Sequence, residues 1–220
     1  MQKLLQRLLW LYKECNRKYA IVLFPKCFFE IKLYKMNIII LTPMEIEQEK
    51  VHDALSRIPD LKHSYKVVVS DIGRESAAKA LMNLPHHDVC ILMGFAAIVG
   101  KENDLPAYLG FGKPIEITNS SLYGYEGGLF ENGAPIFSEP KTKHPSLASL
   151  TSDKFVRTTD LAERTVVNME DYTFMFLKKP QDFIIRIISD FLPHEKEIDF
   201  FEEVKTIDFF DAIQLVDLHL

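Results

Sequence analysis

The sequence predicts an α/β fold: a single domain with a mostly parallel or mixed central β-sheet flanked by helices. Three observations predict it. Short continuous apolar runs, of the kind buried on both faces of a sheet, recur along the chain. Segments of helical spacing follow the early runs, and turn residues separate the units. The length of 220 residues, 47% of them hydrophobic and 26% charged, suits one sizeable core.

In order, NIIILT (37–42) reads as a buried strand leading into the helical EIEQEKVHDALSRI. YKVVVS (65–70) repeats the pattern. Gly73 punctuates, RESAAKALMNL reads as a helix, and DVCILMG (88–94) is the next buried strand. Residues 104–145 are richer in Pro and Gly, with KPIEIT and APIFSE as strands and LYGYEGGLFENG as a turn-rich excursion. TVVN (165–168) precedes a helix from Met169, and FIIRIIS (183–189) is the last strong strand. Residues 195–218 read as one closing helix with Phe200, Phe201, Phe209, Phe210 and Ile213 on its apolar side, an aromatic stripe expected to be core packing rather than a binding box.

Composition narrows the function classes. The net charge of −5 hides an asymmetry: residues 1–35 hold eight Lys or Arg against two Glu, leaving 18 basic and 29 acidic residues in 36–220. An acidic domain is a poor surface for tracking phosphates, so a small ligand is expected and nucleic acid is not. Cys15, Cys27 and Cys90 form no CxxC pair, which fits a reducing, cytoplasmic setting without a structural zinc. His86 and His87 read as a surface pair, so no metal or other cofactor is expected. GxSxG and P-loop patterns do not occur.

The first 35 residues are expected to be an extension of the domain at 36–220, or the product of an upstream start that is not used. Their apolar runs are broken by charge and fall short of a membrane span or a secretory signal. A basic amphipathic helix over 2–13, touching anionic lipid or a partner, is the other reading.

Ligands of α/β sheets sit beyond the carboxyl ends of strands, and three acidic residues follow buried runs there: Glu47, Glu170 and Asp190. Each alone reads as a helix cap or a first-turn charge. Together they match the needs of N-glycosidic cleavage, a base to activate water and an acid to protonate the leaving group across an oxocarbenium-like transition state.

The segments MNIIILTPMEIE (36–47), VSDIGRESAAKAL (69–81), DVCILMGFAAIVG (88–100), SDKFV (152–156), VVNMED (166–171) and RIISD (186–190) occur in the order seen in the nucleoside phosphorylase superfamily. They most resemble 5'-methylthioadenosine/S-adenosylhomocysteine nucleosidases. The resemblance implies that Glu47 activates the hydrolytic water and that Glu170 binds the ribose hydroxyls, with Met169 packed on the sugar. It implies that Asp190, positioned by Ser189, donates a proton towards N7 of adenine. Phe155 would stack on the base, and Val156 would read its edge through backbone groups. It further implies a homodimer, the partner closing the 5' end of the pocket with the 104–126 region.

The chain departs from the family at two places. Gly94-Phe95-Ala96-Ala97 stands where the family has Gly-Ser-Ala-Gly, so Phe95 and Ala96 line the site without a hydroxyl, which favours water over phosphate as nucleophile. The 15 positions between Phe155 and Glu170 are fewer than the family pattern, which implies a remodelled pocket. Three alternatives stand beside adenine-nucleoside hydrolysis: a futalosine or aminodeoxyfutalosine nucleosidase of menaquinone biosynthesis, a purine nucleoside phosphorylase with Arg74 as phosphate ligand, and a non-catalytic nucleoside-binding module. In the phosphorylase reading Arg74 competes with the plainer role of a solvated loop charge.

Overall fold

The computed structural model describes residues 35–124, 134–157, 161–194 and 199–220. The unit Asn37–Leu220 forms one compact body with its own core. The helix expected over 2–13 lies outside the described residues, as does most of the turn-rich excursion, at 125–133.

Strand β1 (Asn37–Thr42) is buried beyond its first residue, and helix α1 (Glu45–Arg57) follows it directly. Glu45 and Glu47 in the first turn and Arg57 in the last complement the helix dipole. β2 (Ser64–Val69), α2 (Arg74–Met82) and β3 (Val89–Val99) repeat the unit. Then come β4 (Pro114–Leu122), the short β5 (Ile136–Phe137), β6 (Ser146–Thr151) and β7 (Val166–Asn168). Helix α3 (Asp171–Leu177), β8 (Phe183–Leu192), α4 (Phe200–Val204) and α5 (Phe210–His219) complete the unit.

The sheet is mixed. β2, β1, β3 and β8 run parallel side by side, as buried apolar runs joined by helical crossovers require. β4 then pairs antiparallel to β8 and parallel to β6, β6 runs parallel to β7, and β7 returns antiparallel onto the end of β3 at Ala97 and Ile98. The circuit β3–β8–β4–β6–β7–β3 closes into a ring, so these strands expose few free edges. Its interior and helix-facing surface hold the main core, including Leu92, Ile98, Ile115, Phe174 and Ile188. At about 1.5–3 kcal/mol for each fully buried large aliphatic or aromatic side chain, this cluster is the principal source of stability.

Several sequence boundaries move. β3 extends to Val99, well past the expected Gly94, because Phe95–Val99 stay apolar and pair with β8 and β7. β8 likewise runs to Leu192, which puts Asp190 inside the strand rather than beyond it. Helix α3 begins at Asp171, two residues after the expected Met169. The single closing helix is two: Asp199 accepts hydrogen bonds from the Phe201 and Glu202 amides, and Asp208 from the Phe210 amide. Asp199 caps α4 by capturing the amides of its first turn, and Asp208, just ahead of the α5 N-cap Phe209, holds the first amide of α5, so each stands at the start of a separate helix.

Candidate active site

Glu47 reaches the site from the first turn of α1. Its Oε2 accepts the Met44 N–H at 2.8 Å, and its Oε1 accepts the Phe95 N–H of β3 at 2.7 Å. The side chain thus caps its own helix and ties that helix to the central strand. With only 1% of the residue exposed, burial pushes the carboxyl up to about pH 8 on the titration scale, although the Phe95 amide and the Arg186 charge oppose the shift. Gly94 is required beside it by close approach. A Cβ there would lie 2.5 Å from Glu47 Oε1 and 2.9 Å from Arg186 Nη1.

Arg186 interrupts the apolar run of β8 and is fully buried. Its Nη2 lies 2.8 Å from Glu170 Oε2 and 2.7 Å from Asp171 Oδ1, its Nε donates to Asp171 Oδ1 at 2.8 Å, and its Nη1 donates to the Phe95 carbonyl at 3.3 Å. Burial alone would lower its affinity for a proton; Asp171 and Glu170 reverse that and hold it above the ordinary range. Asp171 itself is shifted upward by burial, against the pull of Arg186. Glu170 is fixed on its other side by the Gly73 N–H, which donates to Oε1 at 2.9 Å. Asn168 completes the set, its Oδ1 accepting the Glu170 and Asp171 amides and its Nδ2 donating to Asp171.

Asp190 lines the same cavity as Glu47 and Glu170. The β3–β8 register skips a residue, Ala96 opposing Ile188 and Ala97 opposing Asp190, so Ser189 is the extra residue of a β-bulge. In an unbroken strand Ser189 and Asp190 would face opposite sides; a bulge re-aims side chains, and here both line the same cavity. The Ser189 hydroxyl donates to Asp190 Oδ1, and His194 Nε2 lies 2.8 Å from Asp190 Oδ2.

The cavity has a volume of about 780 Å³, within the range of small-molecule sites. Glu47, Phe95, Ala96, Phe155, Val156, Met169, Glu170, Ser189 and Asp190, all singled out in the sequence, line it. Phe155 stands on an irregular stretch after β6, is 54% exposed, and meets Phe200 edge-on at 6.1 Å between ring centres. Phe200 also meets the buried Phe95 at 5.9 Å. The aromatic stripe therefore divides: Phe209 and Ile213 are core, whereas Phe200 and Phe201 face the cavity, because the break before α5 lets α4 turn independently. Residues 158–160, within the short Phe155–Glu170 interval, lie outside the described residues.

Arg74 is not a free loop charge. It opens α2, and its guanidinium makes a two-pronged pair with Asp153, Nε to Oδ1 at 2.6 Å. Sequence reasoning assigned no role to Arg186, Asp171, Asn168 or His194. A lone arginine inside FIIRIIS was the available signal, since a cation in a buried strand must be paired. The cavity is lined by protein donors and acceptors, and among the described residues no trio of His, Cys, Asp or Glu side chains is placed to hold a metal ion. No helix among them is long and apolar enough to cross a membrane.

The fold is the architecture of solved nucleoside phosphorylases and nucleosidases. Within it the chain is most like the 5'-methylthioadenosine/S-adenosylhomocysteine nucleosidases. An S-adenosylhomocysteine nucleosidase from Streptococcus pyogenes, solved with 5-methylthiotubericidin, superposes with a TM-score of 0.61 at 19% identity, over 86% of this chain and 98% of that one. An MTAN from Chlamydia trachomatis gives 0.58 at 17% identity, over 83% and 97%. The same Chlamydia protein has been solved bound to MTA and to adenine. A uridine phosphorylase from Schistosoma mansoni is more distant, 0.52 at 9% identity over 84% and 86%. No protein-family model matches the sequence, and no curated protein matches it.

Proposed function

We propose that this cavity hydrolyses the N-glycosidic bond of an adenine nucleoside, with 5'-methylthioadenosine or S-adenosylhomocysteine as the substrate class. The observation that carries the reading is that Glu47, Asp190 and the Glu170–Arg186 pair line one cavity. Glu170 accepts the ribose hydroxyls; a carboxylate already held by Arg186 and Gly73 cannot swing away, which fixes the sugar. The adenine lies against Phe155, with Val156 at its edge and Met169 under the sugar.

Glu47 takes a proton from water as that water attacks C1'. Burial raises its carboxyl to about 8, so it is the ionised fraction, growing as the pH approaches that value, that accepts the proton, and a more basic carboxylate accepts it more readily. Asp190 gives a proton to N7, so that the base leaves neutral while the C1'–N9 electron pair moves into it.

Water is favoured over phosphate by what the donors already do. The Phe95 amide is taken by Glu47 and its carbonyl by Arg186, Arg74 is paired with Asp153, and Arg186 faces Glu170 and Asp171. The cavity's other cations, Lys154 and Arg157, flank the exposed Phe155 in sequence. The test is chromatography of the purified chain incubated with 5'-methylthioadenosine, S-adenosylhomocysteine and aminodeoxyfutalosine, each with and without phosphate. Adenine release independent of phosphate is expected, and the three rates rank the 5' substituents. Release that requires phosphate, or none from any substrate, overturns the reading.

A further inference from the structure

Asp190 is the proton donor in the reading above, and both its oxygens are engaged by this chain: Oδ1 by the Ser189 hydroxyl and Oδ2 by His194 Nε2 at 2.8 Å. Both side chains of the His194–Asp190 contact are more than nine-tenths buried, with 8% and 7% exposure. Glu47 and Glu170, by contrast, are held by backbone amides and a permanently charged arginine, which cannot supply protons within the reaction. Of the three carboxylates, only Asp190 touches an imidazole, a group that can both accept and donate a proton.

The location of His194 adds a direction. Ser189 and Asp190 line the substrate cavity and also a second cavity of about 390 Å³, and His194 lines that second cavity. The imidazole is anchored there by its own backbone, the His194 N–H donating to the Arg157 carbonyl at 3.0 Å, and its ring lies 6.4 Å from that of Phe155.

Resting on the nucleosidase reading, we propose that His194 is a positioning residue that holds Asp190 and resupplies its proton from the second cavity. In the step, the C1'–N9 bond breaks with its electron pair passing to the base, and the Asp190 proton moves to N7. The proton on His194 Nε2 moves to Asp190. The water oxygen bonds to C1', and its proton goes to Glu47. Solvent then returns a proton to His194 and removes the one on Glu47, so only water and nucleoside are consumed. The charged groups around the pair are Lys101, Glu102 and Glu203 in the second cavity, and Lys154, Arg157 and Asp199 on the substrate side.

The experiment compares wild type, His194→Gln and His194→Ala in adenine release across a pH series, with and without added imidazole. The expected result is a fall in kcat of about tenfold to a hundredfold, KM within about threefold of wild type, and a pH profile that loses its high-pH limb. Imidazole restores turnover to His194→Ala, an effect that a purely structural histidine would not show. Wild-type kcat in both variants, or a loss that leaves the shape of the pH profile unchanged and resists imidazole, overturns the proposal while leaving the nucleosidase reading intact. A wild-type protein that releases no adenine overturns that reading and this proposal with it.

Discussion

Replacing Glu47 by Gln probes burial and chemistry at once. The folded protein holds the Glu47 proton up to about pH 8, against 4.5 for an unperturbed carboxyl. In the interval between, the native state binds more protons than the unfolded chain, so this residue makes stability fall as pH rises. Its contribution is whole below the unfolded value and is lost by the time the pH passes the folded one. At about 1.4 kcal/mol per unit, the loss between about pH 5 and pH 8 is about 3 kcal/mol, of which partial relaxation of the site can absorb some. Gln carries no such term. It does set an NH₂ group against either the Met44 or the Phe95 amide, a cost of about 1–3 kcal/mol that is independent of pH. The informative quantity is therefore the change with pH of the stability difference between the two proteins, measured by urea unfolding. The variant should gain about 3 kcal/mol on wild type across that range while its turnover falls by about 10²-fold or more and nucleoside binding persists. Stability curves that stay parallel from about pH 5 to pH 8 would refute the claim that burial dominates at Glu47.

Other perturbations test the remaining parts. Arg186→Met leaves Glu170 and Asp171 without their buried counter-charge, and chemical denaturation should show a loss of about 3–5 kcal/mol; a loss under about 1 would mean that those carboxylates are not ionised in the fold. Gly94→Ala places a methyl 2.5 Å from Glu47 Oε1, so kcat/KM should fall by about tenfold or more, with a melting shift too small to explain it; normal activity would show that the Glu47–Arg186 geometry is not critical. Asp190→Asn should keep the fold by circular dichroism and lower kcat by about two orders of magnitude or more, and wild-type turnover would remove Asp190 from the mechanism.

Most of the fold was legible because the strands that carry it are continuous apolar runs. NIIILT and FIIRIIS are buried on both faces, and the helical spacing after NIIILT leaves little choice but a parallel unit. The ring closure was not legible: β7 is three residues long, and its pairing with Ala97 and Ile98 depends on distant chain geometry rather than local pattern. Glu47, Glu170 and Asp190 could be picked out because acidic residues near strand ends are visible in sequence. What aims Asp190 could not, since a bulge at Ser189 is a matter of register between two strands. Phe200 and Phe201 share helical spacing with Phe209 and Ile213. Only the Asp199 and Asp208 caps, which divide the segment into two helices, separate cavity wall from core. His194 reaches Asp190 from beyond the end of β8; the two are four positions apart, but Asp190 lies in a strand rather than a helix, so the spacing alone does not predict their contact.

Hydrolysis is tested most directly by the mass of the sugar product when the purified chain turns over 5'-methylthioadenosine in excess phosphate. With the Phe95 amide, Arg74 and Arg186 already engaged, free 5-methylthioribose and adenine are expected in equal amounts. A sugar 1-phosphate in place of the free sugar would contradict water as the nucleophile.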